Sequence, residues 1–464
     1  MASVTSTQTA HIAGFGMTAG ADGYLFRPTS EEQIFDVFRL AKSMGRQVVL
    51  RGAGRSYGDA SIASEALILD CSRMDQVLSW DPSTGEIVCG PGVTIEKLWR
   101  SCIEDGYWPP VVSGTMFPTL AGALAMNIHG KNNFREGTLG EHVLELRVVC
   151  PSGDVLELTP SDPRFSIVVS GAGLIGAVTR VKLKMKKVPS GNLNVLPVSI
   201  RDWNHHFEVF EKHESTADYM VGWVDCLSSN GRGEFHAAWY ADGPPATFRQ
   251  ENQDLPDTIL GFFPKSVMWR LLKPLNNSVG MKLINAGKYY ARRFKGDQKL
   301  HGQSLVGFSF LLDYVPGWRN TYLPGGFIQY QSFVPREAAP KVFTRQIELQ
   351  HQSMVPAFLG VLKRHRPDAF NFSHAVDGYS LALDIKVSPG MWPKVQELCH
   401  RMNDLVLGAG GRFYLAKDST LRPEDFAQAV GTEALDRYFK LKATTDPDNL
   451  LTSSMAKRLH LEGR

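Results

Sequence analysis

The chain has 464 residues, 43% of them hydrophobic and 21% charged, and its 50 Lys and Arg exceed its 47 Asp and Glu by 50 − 47 = 3. A near-neutral, aromatic-containing composition over this length argues against a disordered or fibrous chain and against a dedicated nucleic-acid binder, whose domains are strongly basic. Six widely spaced cysteines without a C-x-x-C pattern or clustered histidines argue against a disulfide framework or a zinc site, and fit a reducing, cytoplasmic setting.

Residues 1–20 carry no Lys or Arg and no long apolar run, so neither a secretory signal nor a membrane span is expected there or beyond. At roughly 150 residues per domain, two or three domains are expected. The first helix should start at Pro28-Thr29-Ser30-Glu31-Glu32, with Ser30 or Thr29 as cap, bury Ile34, Val37, Phe38 and Leu40, and end at Gly45. Strands are predicted over 47–50 and 66–70, a helix near 94–105, and a hairpin of 144–149 with 155–158 around Pro151-Ser152-Gly153-Asp154. Beyond Pro189, strand patterns at 220–224, 235–240, 327–334 and 380–387 alternate with helical ones at 340–350 and 392–406. The tail after Asp446 reads as loop, then helix through 455–458.

Between Ile259 and Leu300 nine Lys and Arg face one acid, Asp297, a local balance of 9 − 1 = +8. Phe262, Phe263, Met268, Trp269, Leu271 and Leu272 stand among them. A solvated basic loop and a surface for anionic head groups account for this equally well.

Four motifs bear on chemistry. Arg51-Gly52-Ala53-Gly54-Arg55-Ser56-Tyr57-Gly58-Asp59 follows a strand, and its glycines let successive N–H groups turn toward a phosphate, although an ordinary strand-exit turn explains Gly-x-Gly alone. In the segment 113–132, Pro118 can open a helix, small residues over 119–126 permit close packing, the helix N-terminus favours an anion, and His129-Gly130-Lys131-Asn132 follows. Gly171-Ala172-Gly173-Leu174-Ile175-Gly176 has the G-x-G-x-x-G spacing. Its continuation alternates Val181, Leu183 and Met185 with Lys182, Lys184 and Lys186, the period of a strand, so a Rossmann-type NAD site is not expected. In Gly411–Ser419, Lys417 taken alone reads as a solvated surface lysine.

In this order and spacing the motifs resemble the vanillyl-alcohol oxidase/PCMH-type FAD oxidoreductases, and within them the branch that oxidises polyprenylphosphoryl-β-D-ribose. Gln329-Tyr330-Gln331, Tyr414 to Ser419, Asp446-Pro447 and Ser454 to Leu459 support the resemblance, which runs from about Gly14 to Leu461 and is weakest over 200–320. It implies an α+β fold: a PCMH-type two-subdomain FAD-binding domain (1–195), an α+β substrate domain with an antiparallel sheet flanked by helices (196–410), and a C-terminal segment (411–464) closing on the FAD domain.

The cofactor implied is FAD, with no metal. Arg51, Gly52, Ala53, Gly54, Arg55, Ser56, Tyr57 and Gly58 would cradle its pyrophosphate. Gly114, Thr115, Thr119, Leu120, Ala121, Gly122, Ala123, Met126, Asn127, Ile128 and His129 would run along the flavin. Gly173, Gly176 and Val178 would meet the adenine-ribose half, and Tyr414 would close the site. Arg55 stands where covalent members carry a flavin-linking His, and no Cys lies between Val111 and His142, so the FAD is expected to be non-covalent.

The activity implied is oxidation of a sugar secondary alcohol, the ribose C2 hydroxyl, opening an epimerisation to arabinose. Lys417, His129 and Lys131 would be catalytic, with Tyr57, Trp223, Gln331, Lys363 and Lys417 lining the substrate cavity. An NAD(P)H-dependent short-chain reductase would be the partner, with peripheral membrane contact through 259–300. Ala382 departs from the Cys of mycobacterial members and Ser309 from the family's Tyr; both touch the substrate side. Another sugar, polyol or nucleoside as substrate, and a non-catalytic membrane-surface protein, are the alternatives.

Overall fold

The computed structural model describes residues 8–243, 245–259, 263–294 and 297–463. Local signals set the first helix, Glu31–Met44: the Ser30 hydroxyl accepts from the Gln33 N–H, Glu31 and Glu32 stand in the first turn, and Gly45 ends it at φ 60°. Its buried stripe of Ile34, Val37, Phe38 and Ala41 packs on the strands Val48–Arg51 and Leu67–Asp70. These strands belong to a four-stranded mixed sheet in the order Gln8–Ala13, Gly20–Phe26, Leu67–Asp70, Val48–Arg51.

A second, five-stranded antiparallel sheet runs Val77–Asp81, Glu86–Cys89, Ala177–Lys184, Val143–Val149, Val155–Leu158. The predicted hairpin of 144–149 with 155–158 forms here. The glycine run at 171–176 leads into the strand Ala177–Lys184, with Val181 and Leu183 fully buried between less buried lysines, as the alternation predicts.

The third sheet has eight strands, all antiparallel: His301–Ser304, Asn192–Ile200, Gly233–Tyr240, Tyr219–Val224, Ala357–His365, Gly378–Lys386, Phe327–Pro335, Arg412–Phe413. The helices Trp203–Glu214, Ala339–Gln352 and Trp392–Gly408 pack on it, the first through rings such as Phe207 against Tyr379 and Phe210 against Phe235. This is an α+β architecture.

The tail serves both halves. Arg412–Phe413 pairs with Phe333 and Ser332 of the large sheet. Farther on, the Val48 N–H donates to Leu450 O (2.7 Å) and the Thr452 N–H to Val48 O (3.0 Å), so the chain ends beside the first sheet. The basic segment is helical rather than a loop, forming Lys265–Leu272 and Ser278–Phe294; its Phe262 and Lys295 lie outside the described residues. Among the described residues no helix is long and apolar enough to cross a membrane.

Candidate active site

A cavity of about 550 Å³ lies where the three sheets meet, within the usual size range of small-molecule and cofactor sites. Its walls bring together residues 51–57 of the glycine loop, Gly114 and Thr115, Thr119, residues 121–123, Met126, Ile128 and His129, Gly173, Gly176, Val178 and Tyr414. On the large-sheet side come Lys131, Trp223, Gln331, Lys363 and Lys417. Three predicted residues stand back from it. Leu120 is fully buried core. Asn127 is turned inward at φ 44°, its amide donating to Thr138 Oγ1 (2.9 Å) and its oxygen accepting from the Gly140 N–H (2.9 Å). Gly58 packs against the Asp418 carbonyl.

The glycine side is a backbone cradle. Gly54 has φ 63°, a conformation that favours glycine, and a Cβ there would strike the Arg51 guanidinium. Arg51 is already committed: it donates to Ala13 O (3.0 Å), Ser61 O (3.2 Å) and Ser61 Oγ (3.1 Å), and so shapes the loop. Arg55 is different. Its guanidinium lies over Phe117 and Phe15 (4.8 and 5.4 Å to the ring centroids), and its Nε is buried without a partner. The helix Leu120–Ala125 does not offer its first N–H groups to an anion, contrary to expectation, because Leu120 donates to Val93 O and Ala121 to Pro91 O.

Space is left for a flat group beside this helix. A Cβ on Gly122 would meet only Thr119 Oγ1 within 4 Å, and one on Gly173 only Leu50, at 3.8 Å, although both glycines line the cavity. Ser170, Ala172 and Gly173 all take positive φ, and the Ser170 and Ala172 N–H groups hold this turn on the Leu124 and Ala125 carbonyls.

The opposite wall is cationic. Lys131 donates to Phe308 O and lies over the Phe308 ring. Lys417 Nζ stands 3.6 Å from the Tyr57 ring centroid. Desolvation lowers all three lysines: Lys131 falls well below its ordinary value, Lys363 to about 8, and Lys417 is pulled down too, opposed by the Asp384 carboxylate. Asp384 is pushed up by the same burial while it accepts from Gln329 Nε2 (2.6 Å).

His129 sits in a ring cluster with His365, Tyr414, His374 and Phe333 at 4.9–5.4 Å, and Gln331 Nε2 lies 3.1 Å from its Nε2. Burial, then Lys363, hold it well below its usual value, and burial brings His374 to about 3, so the imidazoles are neutral at physiological pH.

Sequence reasoning missed several residues here. Asp384 had a signal, a lone acid inside the apolar run 380–387, but its partner Gln329 is visible only in the register that sets the two opposite each other. Asp313, at about 6 through burial, ties the 311–314 segment to the loop before Thr119 by accepting from Thr115 Oγ1 (2.7 Å) and the Met116 N–H (2.8 Å). Glu234, His236 and Lys288 also line the cavity. Among the described residues no cluster of His, Cys, Asp or Glu could hold a metal ion.

These residues fit FAD: a glycine cradle for phosphates with an unpartnered Arg55, open glycine faces for an aromatic ring system, and lysines toward the reacting end. The protein is a flavin-dependent oxidoreductase with a PCMH-type FAD-binding domain: residues 23–159 match the family model described as "FAD binding domain". Along nearly its whole length it is similar to the decaprenylphosphoryl-beta-D-ribose oxidase of Mycolicibacterium smegmatis, 29% identical over 463 residues, 98% of each chain. It is also similar to the L-gulono-1,4-lactone dehydrogenase of Mycobacterium tuberculosis, 27% identical over 95% of this chain and 96% of that one. A putative D-arabinono-1,4-lactone oxidase of Neurospora crassa is 28% identical over 42% of this chain and 35% of its own. A purely non-catalytic membrane protein is thereby set aside.

By the resemblance of the motifs Arg55 stands where a flavin-linking His would, and Cys71, the one cysteine lining the cavity among the described residues, is kept a thiol by burial, which pushes it to about 12. Acid denaturation is therefore expected to release all of the FAD into the supernatant. Yellow colour retained on the precipitated polypeptide would contradict this.

Proposed function

We propose that the protein oxidises a secondary alcohol of an anionic sugar to a ketone, the C2 hydroxyl of a polyprenylphosphoryl-β-D-ribose being the substrate that best suits the cavity. The observation that carries this reading is the convergence of Lys131, Lys363 and Lys417 on the wall facing the glycine cradle. Bound FAD supplies a two-electron acceptor. Lys417, its basicity lowered by burial, takes up as the neutral amine the proton that leaves the substrate hydroxyl, and the Asp384 carboxylate balances the ammonium that forms. Lys363 and Lys131 hold the substrate's negative charge. His129, neutral and bonded through Gln331, fixes the orientation of the sugar ring. Full-length similarity to the ribose oxidase supports the assignment. The ketone would pass to a separate NAD(P)H-dependent reductase that completes the inversion.

A second reading, oxidation of another sugar, a polyol or a nucleoside, draws on Ala382 and Ser309, two small residues lining the cavity, and on the lactone dehydrogenase similarity. Anaerobic loss of visible flavin absorbance decides between them. Polyprenylphosphoryl ribose should bleach the flavin at micromolar concentration; bleaching by free lactones or polyols alone would establish the second reading.

The pH dependence has a definite sign. Lys363 is charged below about 8 and neutral above it. KM for an anionic substrate should thus rise as pH passes 8, with Lys363→Met abolishing that rise.

A further inference from the structure

The helix Ser278–Phe294 carries apolar residues on two sides, one facing the protein and one facing out. An amphipathic helix of a water-soluble domain turns its apolar stripe to the core. Here the inward side is mixed and partly polar: Tyr289 is buried and Met281 packs against the Phe15, Tyr57 and Phe327 cluster, while the Asn285 amide donates to Asp225 Oδ1 (3.0 Å) and Phe358 O (3.3 Å), and Arg292 pairs with Glu234, with Lys288 3.8 Å from the same carboxylate. Glu234 is itself buried. Burial pushes its carboxyl up, but the bond from His236 and the charges of His236, Lys288 and Arg292 outweigh that and hold it down at about 2.

The outward side carries Val279, Leu283, Tyr290 and Phe294, spaced at i, i+4, i+11 and i+15 and therefore on one stripe. They are 72, 69, 48 and 78% exposed. Leu271 and Leu275, just before this helix, are exposed as well. Exposed apolar residues in such a contiguous set mark a contact with something apolar.

Charge says what that contact is. Residues 263–294 contain seven Lys and Arg and no Asp or Glu. Of these, Arg270, Lys273, Lys282 and Arg293 make no ion pair with an acid among the described residues. An apolar stripe flanked by unpaired cations matches a bilayer surface with anionic head groups, where acyl chains take the stripe and phosphates the cations.

We propose that the helices Lys265–Leu272 and Ser278–Phe294 seat the protein on an anionic lipid surface, with the cavity mouth beside the contact. The mouth is placed there by Lys288, which lines the cavity from the inner side of the same helix, stacked over Trp223 (4.1 Å). Tyr314, part-exposed at the cavity wall, lies under Lys265 Nζ (3.4 Å to the ring centroid) and ties the shorter helix to the same rim. A lipid-linked substrate could then reach the lysines without its chain crossing water. That last consequence rests on the proposed substrate; the docking itself does not.

The test uses the full-length flavoprotein without substrate. Vesicles of phosphatidylcholine alone, and of phosphatidylcholine with about one-third phosphatidylglycerol, are floated with the protein at low and high salt. Binding should require phosphatidylglycerol and weaken with salt. Leu283→Asp with Phe294→Asp should lower it at least tenfold, and Lys282→Glu with Arg293→Glu should lower it and remove most of the salt dependence, both with normal FAD content. Equal recovery with and without phosphatidylglycerol, or unchanged binding by both variants, would overturn the proposal. So would a dimer that Leu283→Asp dissociates, because the stripe would then be covered by a second copy. Flavin bleaching by the proposed sugar is read separately, so failure of the substrate assignment leaves the vesicle result standing.

Discussion

Lys417→Met should keep its FAD and lose turnover by roughly 10²- to 10⁴-fold, the usual weight of a positioned proton-transfer or charge-stabilising group. Methionine keeps an unbranched stem, one atom shorter and uncharged, beside the Tyr57 ring, so the visible spectrum should persist while kcat collapses. A flavin-replete variant with normal kcat would remove Lys417 from the chemistry.

Asp384→Asn separates a chemical role from a packing one. The carboxylate raises the basicity of Lys417 against the desolvation that lowers it. Without it the ammonium form is lost at lower pH, so whichever limb of the kcat profile reports Lys417 must move toward acid. Gln329 can still bond to the carboxamide that replaces the carboxylate, which keeps the strands in register. A profile unchanged in position, only reduced in height, would show that Asp384 merely packs.

The second large effect concerns stability. Lys442 and Asp446 form a fully buried ion pair at 2.9 Å. Lys442 also donates to Leu174 O (3.1 Å) and Leu451 O (3.2 Å), and Asp446 accepts from the Leu450 and Leu451 N–H groups (2.7 and 2.8 Å). Deleting one member of such a pair leaves a buried charge uncompensated and costs about 3–5 kcal/mol. Asp446→Ala should be the worse of the two, since it orphans two buried backbone N–H donors, a rarer defect than the under-satisfied carbonyls that Lys442→Met leaves, and strips the ammonium of its counter-ion. Lys442→Met leaves the carboxylate its two N–H bonds. Thermal unfolding with FAD bound should therefore rank wild type above Lys442→Met above Asp446→Ala; the reverse order would show that the amides do not matter.

Much of the FAD side was legible because it rests on local rules. Ser30 and Gly45 bound a helix by capping chemistry, Gly54 serves a left-handed turn, and the lysine alternation after Gly176 can only be a strand. The substrate side depends on pairings far apart in sequence. Ala357–His365 is a central strand of the large sheet, yet it carries Lys363, Arg364 and His365 together, which no apolar or alternating pattern announces; the charges survive because they face a cavity, pair with Asp377 and Glu214, or hydrogen-bond to Ser380 and Asn133. Residues 278–294 stood out in the sequence by their charge and not as a helix, and the sequence does not say which side of that helix faces in. That is decided by Glu234 and Asp225 on other elements. Gly58, Leu120 and Asn127 fall in motifs that do reach the cavity, and each serves the backbone of its motif instead.

The Tyr57 N–H donates to Ala416 O (2.9 Å), so the glycine loop and the turn bearing Lys417 are bonded neighbours although 366 positions separate Arg51 from Lys417 (417 − 51). At roughly 5–20 residues per second, a ribosome needs tens of seconds to cover that interval. Until the end of it the nascent chain lacks Lys417, however much of the glycine-lined side and of the hydrophobic interior has already been made. On the role proposed for Lys417, oxidation chemistry is thus withheld until late in synthesis, whether or not a partly made chain has already captured FAD.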